Sequence, residues 1–474
     1  MMLCLPIALY FGDDGNAMMN MGGFWELLIP ALGSISLGSI GWYFSKKNEK
    51  RLNKRDGYLI VTLGWLLMSI VGAFPYYLLG GQFHDFSSAI FESVSGFTTT
   101  GASILTDIEV QPKAILFWRA MTHWIGGMGI IVLTIAILPL LGIGGMQLFL
   151  AEAPGPTADK LHPRITETAK RLWIIYVAIT FVETVLLLCC GMGLFDAITH
   201  SFATVSTGGF STRNASMAAF GPAVQYVVIL FMFLSGMNFS LLYFGLKGKL
   251  DRVWKNEEFR IYLIAVLAIT LLATLIIFFF DPQKTGIGIE KAFRDSLFQV
   301  ISVMTTTGFV SENFAAWGPL LKVVFFLLMF VGASAGSTAG GVKIVRHIII
   351  LKNGFMEFKR QLHPNAILPV RYSTKIVDNQ IVFNVLAFFM IYMWIYCIGC
   401  LVMGAWGFDF ETVLGSVATS LGNVGPGLGK VDPVSNFAFF NAPQKLFLSF
   451  LMLLGRLELF TVLIVLTPYF WRKY

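Results

Sequence analysis

Four short runs of Thr, Ser, Asn and Gly are the residues in this chain whose types and spacing could do chemistry. They read Thr98-Thr99-Thr100-Gly101, Val205-Ser206-Thr207-Gly208, Thr305-Thr306-Thr307-Gly308 and Leu421-Gly422-Asn423-Val424-Gly425. They recur at intervals of roughly 100 to 120 residues, the mark of an internal repeat. Their chemistry would be cation coordination, because a ring of backbone carbonyl oxygens can replace an ion's water without burying a counter-charge. Glycine reaches positive φ at little cost and so lets neighbouring carbonyls turn toward one axis. The expected donors stand beside Gly101, Gly208, Gly308 and Gly425: Thr99 and Thr100, Ser206 and Thr207, Thr306 and Thr307, Asn423 and Val424. Val424 has no side-chain oxygen, so the donor common to all four turns must be backbone.

Such turns need membrane helices to hold them. Of 474 residues, 56% are hydrophobic and only 13% charged, a composition that cannot supply a solvated surface and marks an integral membrane protein. Apolar spans are expected at Phe24 to Phe44, Tyr58 to Leu79, Ile115 to Leu141, Leu172 to Leu188 and Ala223 to Leu246. Others follow at Ile261 to Phe280, Leu320 to Phe330 with a continuation to Leu351, Ile381 to Met403, and Leu446 to Phe470. Before each turn lies a segment too short to span: Phe86 to Phe97, Phe195 to Val205, Phe293 to Met304 and Phe410 to Leu421. These are expected as re-entrant half-helices, whose C-terminal ends would aim partial negative charge at a common centre. Beyond each turn the next span is expected to break, at 126–129, 235–238, Gly332 to Gly341, and 455–458. The fold class expected is therefore an all-α polytopic membrane protein with four pseudo-symmetric units around one pore. Their bounds are 57–150, 151–255, 256–360 and 361–474. Residues 1–56 precede them as a hairpin with a shortened first helix, since Met1 to Phe11 reaches only about 16 Å.

Charge sets the orientation. Most of the 34 Lys and Arg fall in Lys46 to Arg55, Lys160 to Arg171, Lys247 to Arg260, Lys343 to Lys375 and at Arg472 and Lys473, segments that alternate with the glycine turns. The positive-inside rule makes these loops and the C-terminus cytoplasmic and brings the turns in from outside. The net charge of +7 is then topology, and the scattered basic loops lack the aromatic platform of a nucleic-acid binder. No Lys or Arg precedes Lys46, so no basic signal-peptide region is expected. Cys397 and Cys400 form a CxxC inside an apolar span with no second ligand pair, and no nucleophile, acid–base pair or cofactor fingerprint emerges.

Two features bear on gating. Arg456 and Glu458 sit mid-span at i and i+2, on different helix faces, so they pair poorly and Arg456 is expected in the pore as a barrier to cations. Gly332, Gly336, Gly340 and Gly341 punctuate a run of small residues that disfavours helix and is expected to lie unwound beneath the turns. Small-residue packing between helices is the competing account of these glycines. Arg119, His123 and Lys322 are expected to snorkel from span ends.

In combination, the four turns, the Gly332 to Gly341 run, His363-Pro364-Asn365-Ala366, Gly425-Pro426-Gly427-Leu428-Gly429 and Gly455-Arg456-Leu457-Glu458 resemble Trk-type potassium uptake proteins. That superfamily includes the Trk, Ktr and HKT transporters. The resemblance covers essentially the whole chain, departing at the short first helix. It implies potassium as the transported substrate, with no cofactor bound by this chain, and a potassium-selective channel-like pore in a bacterial inner-membrane homodimer. It also implies an intramembrane gate at the Gly332 to Gly341 run and regulation by a cytosolic nucleotide-binding subunit. In the family a serine at the first filter glycine goes with sodium, and this chain has glycine at all four. Its longest cytoplasmic segment is too short for a nucleotide-binding domain. A sodium-permeable or proton- or sodium-coupled symporter on the same scaffold, a membrane enzyme and a non-conducting sensor are the alternatives.

Overall fold

A computed structural model describes residues 1–11, 23–46, 54–132, 161–280, 288–373 and 375–472. Helices dominate. α1 (Leu5–Phe11) and α2 (Phe24–Ser45) precede α3 (Lys54–Leu79), the short α4 (Phe86–Phe97) and α5 (Lys113–Val132). The next group is α6 (Leu161–Cys189), the short α7 (Leu194–Val205), α8 (Pro222–Gly236), α9 (Phe239–Leu246) and α10 (Leu250–Lys255). Then come α11 (Glu257–Phe280), α12 (Ile289–Met304), α13 (Pro319–Leu328) and α14 (Ile344–Leu362). The last group is α15 (Asn379–Ala405), α16 (Phe410–Gly422), α17 (Ala442–Arg456), α18 (Phe460–Leu466) and α19 (Pro468–Trp471). A two-residue antiparallel pair, β1 (Arg371–Tyr372) with β2 (Lys375–Ile376), is the one departure from all-helix among the described residues.

Five helices are long and apolar enough to cross a membrane, at Phe24–Ser45, Arg55–Leu79, Ala169–Cys189, Glu257–Phe279 and Asn379–Ala405. Two bent pairs, α8 with α9 at 111° and α17 with α18 at 117°, are long and apolar enough only when taken together, which makes seven spans if each pair counts as one. Their outer faces are apolar and open: Phe383, Trp394 and Leu401 on α15, or Ile264 and Leu271 on α11, are all exposed. A soluble protein would bury such faces, whereas lipid accepts them.

The four short helices are buried over most of their length, above all toward their C-terminal ends. Asp85 caps α4 by accepting from the Ser87 N–H at 3.3 Å, and Asp409 caps α16 by accepting from the Thr412 N–H at 3.1 Å. Such caps satisfy first-turn donors that have no partner within the helix. α4 packs against α3 and α5 and also against α17; α7 packs on α6, α8 and α5; α12 packs on α11 and α8. Each of these three thus leans on a helix of the preceding unit, with the first leaning on the fourth.

Three of the four expected breaks are present, at Gly236, at 332–341 and after Arg456. The first is not: α5 runs unbroken through Gly126 to Gly129. A Cβ on Gly126 would overlap the Phe97 carbonyl, and one on Gly127 would lie 2.7 Å from the Tyr176 hydroxyl and 2.8 Å from Ser206 Cα. Those glycines are close-packing residues, the competing account of such runs. The expected span Ile115 to Leu141 beyond Val132, and the unit boundary at 150–151, lie outside the described residues.

Candidate functional site: a ring of four turns

Each short helix ends the same way. Thr99, Thr207, Thr306 and Asn423 adopt φ of +50°, +56°, +56° and +55°. The next residue's N–H reaches back five residues: Thr100 to the Ser95 carbonyl at 2.9 Å, Gly208 to Ala203 at 2.8 Å, Thr307 to Ser302 at 2.8 Å, Val424 to Thr419 at 3.0 Å. This is the Schellman ending, normally built on glycine. Three threonines occupy it here, and a β-branched residue at positive φ is strained. The residue two further along is again left-handed: Gly101 at +80°, Gly209 at +80°, Gly308 at +79° and Gly425 at +98°.

This backbone corrects the expected register of the second turn. Gly209, not Gly208, matches Gly101, Gly308 and Gly425, and the set Ser206, Thr207, Gly208 becomes Thr207, Gly208, Gly209. Ser206 is the helix cap, its hydroxyl donating to the Phe202 carbonyl at 2.6 Å. The paired glycines hid this, because either could be read as the turn's end.

The four turns close on one another. A Cβ on Gly101 would strike the Gly208 carbonyl oxygen, one on Gly209 that of Thr307, and one on Gly308 that of Val424. A Cβ on Gly425 would lie 2.7 Å from the Thr100 carbonyl oxygen. The order is first to second to third to fourth to first, so the four turns close in a cycle with four equivalent carbonyls, each against the preceding turn's glycine. The same four glycines line a cavity of about 190 Å³ that opens between the chain segments following the turns. Several side chains are engaged in holding the turns: the hydroxyls of Thr98 and Thr100 meet at 2.7 Å, those of Thr305 and Thr307 at 2.8 Å, and Asn423 Nδ2 donates to Thr100 Oγ1 at 3.0 Å. Backbone carbonyls are the oxygens the four turns have in common.

Behind the ring, the non-helical stretch 332–341 threads among the helix ends. The Thr338 hydroxyl donates to the Val205 carbonyl at 3.0 Å, the Gly340 N–H donates to Thr306 Oγ1 at 2.6 Å, and the Ser334 N–H donates to the Gly236 carbonyl at 3.0 Å. Gly332, Gly336 and Gly341 have positive φ, and a Cβ on Gly340 would lie 2.6 Å from the Gly422 carbonyl oxygen. Arg456 is buried and reaches the same stretch, donating to the Thr338 carbonyl at 2.7 Å and to that of Gly126 at 3.4 Å. Glu458 does not pair with it but with Arg346, whose guanidinium lies 3.9 Å over the Phe388 ring. Arg456 thus bonds only to carbonyls, and no carboxylate lies within 4 Å of it among the described residues.

Arg119 and His123 do not snorkel. Arg119 is 1% exposed and pairs with the fully buried Glu92 of α4 at 2.7 Å. It also donates to Ser103 Oγ at 3.1 Å and to the Ser211 carbonyl at 3.3 Å. Its guanidinium sits 4.0 Å over the Phe210 ring, and His123 stacks on that ring at 4.0 Å. Glu92 further accepts from the Ser103 hydroxyl at 2.9 Å and the Ile104 N–H at 3.0 Å. The available signal was a lone acid in a short apolar helix together with two polar residues four apart on the next span. Lys322, by contrast, reaches Glu411 near the surface at 3.2 Å.

Residues 28–472 match the family model described as TrkH, cation transport protein. The chain is 41% identical over 443 residues to the Trk system potassium uptake protein TrkH of Salmonella typhimurium, covering 93% of this chain and 91% of that protein. It is 40% identical over 465 residues to the protein of the same name from Vibrio parahaemolyticus, covering 97% and 93%. The crystal structure of the potassium transporter TrkH from Vibrio parahaemolyticus superposes with a TM-score of 0.88 at 36% identity, over 99% of this chain and 96% of that one.

Proposed function

The chain belongs to the TrkH family of cation transport proteins, and from that membership we propose that it takes up potassium through a pore whose filter is the ring of four turns. The closed ring of carbonyls at Thr100, Gly208, Thr307 and Val424 is the observation that carries this reading. Carbonyls held by strained backbone can replace a cation's hydration shell, and the short helices' C-termini add partial negative charge at the same point. The neighbouring residues Thr99, Thr207, Thr306 and Asn423 would extend the donor set by their own carbonyls. The stretch 332–341 acts as the gate, because it crosses directly behind three of the four helix ends. Arg456 acts as the electrostatic barrier, a buried cation held to that gate through the Thr338 carbonyl.

The same reading places the protein in a bacterial inner membrane with its basic loops in the cytoplasm, as a homodimer opened by a separate nucleotide-binding subunit. Purified protein in liposomes should pass Rb⁺ or K⁺ down a gradient and discriminate against Na⁺. No flux with or without a cytosolic partner would sink the transport reading, and equal Na⁺ and K⁺ flux would favour a sodium-permeable symporter.

A further inference from the structure

We propose that Arg119 is a positioning residue for ion selectivity, a clamp that fixes the spacing of the first and second filter turns; this rests on the filter reading above. One guanidinium makes contacts that belong to three different pieces of chain. It holds Glu92 on the first short helix, Ser103 just past Gly101, and the Ser211 carbonyl just past Gly209. Its flat face covers Phe210, the residue that follows Gly209, and His123 closes the other contact to that ring. Ser211 is in turn fixed from its own short helix by His200, whose Nε2 lies 2.9 Å from the Ser211 hydroxyl. A shift of either turn along the pore would break several of these bonds at once.

The type of residue matters. The guanidinium is a planar fork with five donors, able to serve a carboxylate, a hydroxyl and a carbonyl together, while an ammonium is a point charge. Glu92 and Arg119 are both out of water, so removing either leaves an uncompensated charge. Lysine at 119 can neutralise Glu92 but cannot also bridge to Ser211. Among the described residues no second buried arginine–carboxylate pair spans two neighbouring turns. The first and second turns are therefore held by a buried ion-pair clamp, whereas among the described residues the other boundaries carry single hydrogen bonds such as those from Asn423 to Thr100, from Lys445 to Ser88 and from Asn313 to Asp432.

The experiment compares Rb⁺ and Na⁺ flux in liposomes for the full chain and for Arg119→Lys, with thermal unfolding in detergent as a check on folding. Arg119→Lys should fold and conduct, with its Rb⁺ to Na⁺ ratio lowered about tenfold, in line with losing bonds to a charged group. A folded Arg119→Lys with the wild-type ratio overturns the proposal, since charge neutralisation would then be all that Arg119 supplies. Should that variant fail to fold, Phe210→Leu keeps the ion pair and removes the clamped ring. A lowered ratio there supports the clamp and a wild-type ratio overturns it. Gly101→Ser in the same assay separates the premises: an unchanged ratio for it sinks the filter reading and the clamp with it. A lowered ratio for Gly101→Ser beside unchanged ones for the clamp variants sinks the clamp alone.

Discussion

At residue 209 a single Cβ would meet the Thr307 carbonyl oxygen and would have to adopt φ near +80°. At residue 208 it would meet the His123 imidazole, and no left-handed backbone is required. Left-handed geometry costs a residue with Cβ about 1–2 kcal/mol, on the order of a tenfold change in an equilibrium. Gly209→Ala should therefore lower the Rb⁺ to Na⁺ flux ratio on the order of tenfold, and more than Gly208→Ala. Comparable losses from both, or a larger loss at 208, would return the register to the earlier glycine. The four turns were legible as a repeat because threonine, asparagine and glycine cluster there and nowhere else at that spacing. The one-residue slip was not legible, because two adjacent glycines satisfy the same pattern and are told apart by the +80° φ of Gly209, by its approach to the Thr307 carbonyl of the next unit and by the hydrogen bond from Gly208 to Ala203.

The breaks in the second helices of the units differ in kind. The second is a bend between Gly236 and Asn238, capped by Asn238 accepting from the Ser240 N–H at 2.8 Å. The third is a long unwound stretch stapled to the filter through Thr306 and Thr338. In the fourth, Glu458 and Leu459 both take positive φ, at +57° and +49°, and Arg346 holds Glu458. Arg456 ends the helix before that turn and, among the described residues, is the one buried cation that bonds the Thr338 carbonyl. Two like charges about 8 Å apart at an effective dielectric near 20 repel by about 2 kcal/mol. Arg456→Ala should accordingly raise Rb⁺ flux on the order of tenfold, by removing the charge and freeing the gate. A folded variant with reduced flux would make Arg456 a structural anchor instead. Gly126 to Gly129 reads in sequence like the other breaks. It packs as a continuous helix because its missing side chains admit Phe97, Tyr176 and Ser206.

Across the whole molecule, the lipid-facing helices and the buried short helices set an inside and an outside, and the basic loops set which is which. Val110, 74% exposed, lies in the segment after the first turn, and Ile367, 95% exposed, lies beyond α14. Single cysteines at these positions in an otherwise cysteine-free protein should differ in labelling by a membrane-impermeant maleimide. Position 110 should react in intact spheroplasts and position 367 only after permeabilisation. The reverse order would invert the orientation derived from the positive-inside rule.

Composition, hydropathy and charge by themselves determined that the chain is a helical membrane protein and where its four short helices end, because lipid forces long apolar helices and irregular turns need glycine. They could also isolate Arg456, since a charge in mid-span is conspicuous. Tertiary structure alone decided that the turns close into one ring in cyclic order, that Gly209 rather than Gly208 belongs to it, and that Arg119 clamps two turns instead of reaching for the surface. The physical reason is common to all three: each depends on contacts between units about a hundred residues apart, and local pattern carries no record of which backbone carbonyl a distant glycine or guanidinium will meet.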